Sequence, residues 1–128
     1  MKLLLDTHAF LWWVGDDARL SAPARAAIAD TGSEVWFSAA SAWELAIKAG
    51  LGRFETDAPL PQFLEEQTRR NGFRVLPVHV SHAAAVATLP PLHRDPFDRL
   101  LVAQAQMEKL ILVSRDRLVS RYDVEILW

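Results

Sequence analysis

Short apolar runs alternate with stretches of helical periodicity along almost the whole chain, and this alternation is the first clue to its architecture. Residues 2–5, 35–38, 73–78, 110–113 and 124–127 are strand-like, rich in Leu, Val, Ile and Phe and bounded by Gly, Pro, Ser or Asp. Between the first two runs, residues 9–14 read as a short helix that is apolar all round and closed by Gly15. Ser21-Ala22-Pro23 starts a second helix that runs through Ala24 to Asp30, with Ser21 or Ala22 outside and Pro23 in its first turn. Residues 39–49 form a third, stopped by Gly50 and Gly52. Residues 59–71 carry Leu60, Phe63 and Leu64 between charged positions, an amphipathic helix that ends at Gly72. The alanine-rich stretch 81–89 is broken by Pro90-Pro91, and residues 96–109 make the strongest helix of all. Pro77 weakens the third strand, residues 124–127 close the chain as an edge strand, and 50–61 is the least regular segment.

Strands and helices in alternation specify a parallel sheet covered on both faces. In such a sheet the carboxyl ends of the strands and the helix N-termini that follow them line one edge, where ligands bind. Four acids fall at that edge. Asp6 ends the first run and Asp116 follows the fourth; Glu44 lies in the first turns of the helix after the second run; Asp98 opens the helix 96–109. Distant in sequence, they converge on one acidic pocket.

Taken singly, each acid has an ordinary structural role. Asp6 suits a helix N-cap, and Glu44 suits a capping box with Ser41 and an ion pair with Lys48. Asp95 before Pro96 reads as an N-cap, which puts Asp98 at N3 near the positive end of the helix dipole; Asp116 suits a turn. Asp98, however, shares a helical stripe with Leu101, Val102 and Ala105 and so points along the core-facing side. An inward carboxylate needs a cation or a partner, and clustered carboxylates repel unless a metal neutralises them. A pocket of oxygen ligands is hard and selects Mg²⁺ or Mn²⁺.

Composition narrows the chemistry further. With 128 residues, 51% of them hydrophobic, and no polar tract, the chain fits one domain spanning residues 1–128. The absence of cysteine excludes disulfides and thiolate metal sites. The N-terminal leucine run stops at Asp6, too short for a signal peptide, and no apolar run reaches the ~18 residues of a membrane span, so a cytoplasmic protein without membrane attachment is expected. The net charge of −2 offers nucleic acid no overall attraction; a polyanion has to be held by a local patch or through bound cations. Lys48, Arg94, Arg99 and Arg115 each neighbour one of the acids, and Arg99 and Arg115 are candidates for that patch. His8 and His93 fall near the acids, whereas His79 and His82 flank a turn; surface or supporting roles are expected for all four, and no His-x-x-x-His spacing points to zinc.

Four blocks, in order, carry a resemblance: Leu3-Leu4-Leu5-Asp6-Thr7-His8, the segment 38–44 ending in Trp43-Glu44, His93-Arg94-Asp95-Pro96-Phe97-Asp98-Arg99 continuing to Ala105, and Val113-Ser114-Arg115-Asp116. Over essentially its full length the chain resembles the PIN-domain ribonucleases, specifically the VapC-type toxins of bacterial toxin-antitoxin modules. The resemblance implies a three-layer α/β/α domain around a small parallel sheet and a metal-dependent RNA endonuclease. It maps Asp6, Glu44, Asp98 and Asp116 onto the family's acidic quartet, as catalytic residues and ligands of Mg²⁺ or Mn²⁺. Asp95 is an additional acid of the subgroup, and Ser114 a hydroxyl that orients water or a carboxylate. Thr7, Lys48, His93, Arg99 and Arg115 are the remaining candidates for contacting RNA or supporting the quartet. The implied partners are RNA, a small antitoxin protein encoded alongside, and a second copy of the chain. The alternative is a non-catalytic module of the same fold that holds RNA or protein, its acids serving as caps. A phosphoacceptor receiver domain fits poorly, because Asp6 stands alone after the first strand and the third ends in Leu76-Pro77-Val78.

Overall fold

Leu3, Leu4 and Leu5 are completely buried, which a strand achieves only when both faces of its sheet are covered. In the computed structural model, which describes residues 1–128, this strand (β1, Lys2–Leu5) is the centre of a five-stranded sheet. The others are β2 (Glu34–Ser38), β3 (Arg74–Leu76), β4 (Ile111–Val113) and β5 (Ile126–Leu127). Their order is β3-β2-β1-β4-β5, and every pairing is parallel.

The helices are α1 (Thr7–Val14), α2 (Ala22–Ala29), α3 (Ala39–Gly50), α4 (Leu60–Arg70), α5 (Val80–Ala85) and α6 (Pro96–Glu108). Side chains alternate across the sheet, so β1 feeds two cores. Leu3 and Leu5 pack with Phe10 of α1, Ile28 of α2, Phe37 of β2 and Leu45 of α3 on one face. Leu4 packs with Leu101, Val102 and Ala105 of α6 and with Leu112 on the other. The result is the expected three-layer α/β/α arrangement.

Element boundaries depart from the sequence reading where local chemistry overrides pattern. The third and fifth strands shrink to Arg74–Leu76 and Ile126–Leu127, because only these residues find a paired neighbour. The alanine-rich helix ends at Ala85 and tightens into a 3₁₀ turn over Val86–Thr88 before Pro90. Gly50 is the last residue of α3 rather than its stop, and Gly52 takes the left-handed conformation just beyond, at φ 71°. Segment 51–59 contains no helix or strand.

The capping box of Ser41 with Glu44 does not form. Ser38, the last residue of β2, caps α3 through its side chain, which accepts from Ala40 N, so Ser41 already lies within the helix. His82, expected in a surface or supporting role, is fully buried: its Nδ1 accepts from His79 N at 3.0 Å and its Nε2 lies 2.8 Å from Glu108 Oε1. With both ring nitrogens paired, a polar ring is tolerated inside.

Candidate active site

At the carboxyl edge of the sheet, the segments that leave β1 and β4 and the start of α6 each carry an acid with a polar task. Asp6 follows β1 and caps α1, its Oδ1 accepting from Ala9 N at 2.8 Å. Asp95 caps α6, accepting from Phe97 N and Asp98 N at 2.8 and 3.0 Å, and Asp98 stands at N3. Asp116, in the loop after β4, accepts from Leu118 N at 2.8 Å. For Asp6, Asp95, Asp98 and Asp116 the structural roles read from the sequence are thus real, and they coexist with convergence. Asp6, Glu44, Asp95, Asp98 and Asp116 line one pocket of about 380 Å³ together with Lys48 and His93.

Glu44 reaches this pocket from the second turn of α3. One oxygen, Oε2, lies 3.0 Å from Lys48 Nζ; the other lies 2.6 Å from the Thr7 hydroxyl. Since a carboxylate can only accept, Thr7 donates to Glu44, and the buried Ser41 hydroxyl, 3.0 Å away, donates to Thr7. His93 stands on the opposite wall. Its Nδ1 accepts from Asp95 N at 2.9 Å, which leaves the proton on Nε2. That Nε2 is hydrogen-bonded to Asp116 Oδ2 at 2.7 Å and lies 3.2 Å from Asp98 Oδ2, so one imidazole edge stands against two carboxylates.

The electrostatics follow from burial and crowding. Burial pushes the Asp98 carboxyl up to about 7, and the negative charges of Asp95 and Asp6 reinforce the shift. Burial likewise raises Asp6, although the Ala9 amide and the Ser114 hydroxyl favour its charged form. For Asp116 burial also works upward, but it is outweighed by the hydrogen bonds from His93 and the Leu118 amide, which hold the carboxyl below its usual range. A cavity whose ligating groups are mostly carboxylate oxygens, with one acid unable to ionise fully at neutral pH, fits a hard divalent cation. The ligating atoms of His93, Asp98 and Asp116 alone lie within 4.8 Å of one another.

One expected participant is elsewhere. Arg99 turns away from the pocket, because one residue along α6 from Asp98 is about 100° around the helix. Its guanidinium donates to the carbonyls of Val86 and Pro90 and to the Tyr122 hydroxyl, at 3.1 to 3.2 Å. It supports the site only at a distance, since the same Tyr122 oxygen accepts from the Leu92 and His93 amides and fixes the loop that carries His93. Arg94 is exposed and does not line the pocket. Ser114 is buried, accepting from Asp116 N at 3.1 Å as well as facing Asp6. Sequence reasoning missed Trp12, which forms the one apolar wall of the pocket. The signal was its position four residues after His8, on the same face of α1.

The profile of the PIN domain matches residues 3–125, nearly the whole chain. The chain belongs to the PIN domain family. Among curated proteins, this PIN domain is 34% identical to Ribonuclease VapC22 of Mycobacterium tuberculosis over 116 residues, covering 90% of this chain and 87% of the relative. Its fold is similar to that in the crystal structure of VapBC2 from Rickettsia felis bound to a DNA fragment from their promoter. There the TM-score is 0.71 at 13% identity, over 99% of this chain and 98% of that one. VapBC-1 from nontypeable Haemophilus influenzae is also similar in fold, with a TM-score of 0.67 at 17% identity over 99% and 97% of the two chains.

Proposed function

We propose that this PIN domain is an Mg²⁺- or Mn²⁺-dependent ribonuclease, the toxin of a toxin-antitoxin pair, hydrolysing RNA phosphodiester bonds at Asp6, Glu44, Asp98 and Asp116. The observation that carries the reading is the meeting of these four acids, from four separate segments, in one pocket where Asp98 is driven to about 7. Divalent-metal dependence is general among PIN-domain ribonucleases, and the carboxylate-dominated donor set suits it. Asp6 and Asp98 are the principal ligands in this reading; Glu44 binds or positions water, and Asp116 completes the set. When bound, the cation offsets the acids' charge, polarises the scissile phosphate and lowers the pKa of a water.

The protein's own contribution is preorganisation. Thr7 and Lys48 fix both oxygens of Glu44, the N-cap bond fixes Asp6, and His93 Nε2 is hydrogen-bonded to Asp116 with Asp98 3.2 Å away. The remaining partners are a small antitoxin protein and a second copy of the chain, and the place of action is the cytoplasm. Trp43 at 60% exposure, with Ile47 further along α3 and Leu51 just beyond its end, gives a protein partner an apolar stripe. No helix is long and apolar enough to cross a membrane.

The test is cleavage of total cellular RNA by the purified protein in Mg²⁺, read by sequencing the new RNA ends, with Asp6→Asn beside the wild type. Defined ends from the wild type alone are expected. RNA binding without cleavage by the wild type would instead mark a non-catalytic module of the same fold.

A further inference from the structure

The pocket presents an acidic wall, and a phosphate chain entering it is repelled unless a fixed cation stands at the mouth. Two flexible cationic side chains line the pocket. Lys48 is committed to Glu44 at 3.0 Å. Arg115 is not committed: its exposed guanidinium has no carboxylate partner and no hydrogen bond within the protein, and it is held by the Trp12 indole, with the guanidinium carbon 4.6 Å from the ring centroid. An indole face orients the planar fork and leaves its N–H donors free, which suits a phosphodiester oxygen pair. Arg19, also over this indole at 5.2 Å, is by contrast spent on Asp17 at 2.8 Å.

The same indole carries a second exposed group. The His8 ring stacks on Trp12 with centroids 5.3 Å apart and planes inclined by only 16°. Trp12 itself is 6% exposed, so it serves as a base plate, while His8 extends that plate to the solvent. A flat aromatic face beside a phosphate-binding cation is what unpaired nucleobases stack on. Resting on the ribonuclease reading, we infer that His8 and Arg115, both mounted on Trp12, form a clamp for single-stranded RNA at the rim of the acidic pocket. Arg115 takes a backbone phosphate and His8 stacks the adjoining base. The base is gripped by its π-face, so the clamp selects single strands over duplex without reading sequence.

The experiment measures binding in the cleavage-deficient Asp98→Asn protein, with Mg²⁺ present, using a fluorescein-labelled 12-nucleotide oligoadenylate and a ribose-phosphate oligomer of equal length and charge but without bases. Oligoadenylate should bind about tenfold more tightly than the abasic oligomer. Adding His8→Ala should remove that difference, and His8→Phe should restore it. Arg115→Ala should weaken both ligands alike and flatten the dependence of log affinity on log salt by about one unit. Equal affinity for the two oligomers, or a ratio insensitive to His8→Ala, overturns the stacking role. An Arg115→Ala protein that loses thermal stability but keeps its affinity and salt slope overturns the phosphate role. The wild-type cleavage assay fails or succeeds separately. Cleavage with no base preference removes the clamp and keeps the nuclease, whereas a His8-dependent preference without cleavage does the reverse.

Discussion

The Thr7 hydroxyl lies 2.6 Å from Glu44 Oε1, a partly buried bond between residues 37 positions apart that ties the start of α1 to the second turn of α3. Thr7 directly follows Asp6, so the strand end that delivers one acid also aims another. Thr7→Val keeps the shape and removes the donor. It should reduce cleavage by roughly 10- to 100-fold, the usual cost of losing a residue that orients a ligand, and lower stability by about 1 kcal/mol. Thr7→Ser should recover most of the loss. Steady-state cleavage of a labelled RNA and a thermal scan of each variant check both statements.

Asp98 carries the repulsion of its neighbours, and its removal should show this without any RNA. In EDTA at about pH 8, Asp98→Asn should melt above the wild type, because the wild-type carboxylate is ionised against the charges of Asp95 and Asp6. The sign with pH follows from a folded value of about 7 against an ordinary 3.8. The folded protein binds this proton more tightly than the unfolded chain. The resulting stabilisation is full below about pH 4 and is lost as pH rises through about 7. The advantage of the variant should therefore shrink as pH falls below about 7 and vanish only below about pH 4. Excess Mn²⁺ should raise the wild-type melting temperature and raise that of Asp98→Asn much less. A variant less stable than the wild type in EDTA, together with a wild type indifferent to Mn²⁺, would contradict the shared pocket.

Asp95 has two roles at once, capping α6 with Oδ1 and lining the pocket beside Asp98. Asp95→Ser preserves a capping oxygen and removes the charge; Asp95→Ala removes both. The alanine variant should lose about 1 kcal/mol of stability relative to serine. Both should lower the pKa of Asp98, because the charge of Asp95 is among the causes that raise it. Titration of Asp98 by carbon-detected NMR in EDTA separates the two effects.

Gln104 of α6 is buried, accepts from the Ser38 hydroxyl at 2.6 Å and donates to the Pro77 carbonyl at 3.2 Å. Since Ser38 caps α3, the residue on α6 braces the helix that carries Glu44. Gln104→Leu leaves both partners short of a hydrogen bond and should cost about 1–3 kcal/mol. Chemical denaturation gives the magnitude; a cost near zero would mean that water or rearrangement satisfies both groups.

The sequence alone determined the layers and the edge at which the acids meet. A run such as Leu3-Leu4-Leu5 has no polar face, so it must be covered on both sides, and alternation with helices then makes the sheet parallel. Parallel strands all end at one edge, which is why Asp6, Glu44, Asp98 and Asp116 were legible as one pocket despite their spacing. Asp95 and Pro96 announced a helix start by local chemistry alone, and the cap formed as read. Only the tertiary structure decided matters that depend on direction and on distant partners. Arg99 sits beside Asp98 in sequence, but the helix rotates it towards the carbonyls of Val86 and Pro90. His82 is inside because Glu108 and the His79 amide, from two different elements, happen to saturate its ring. Ser38 rather than Ser41 caps α3 because β2 continues to the residue before the helix. Periodicity reports which face of an element is apolar; it carries no information about which polar group of another element waits opposite, and that complementarity exists only once the chain has packed.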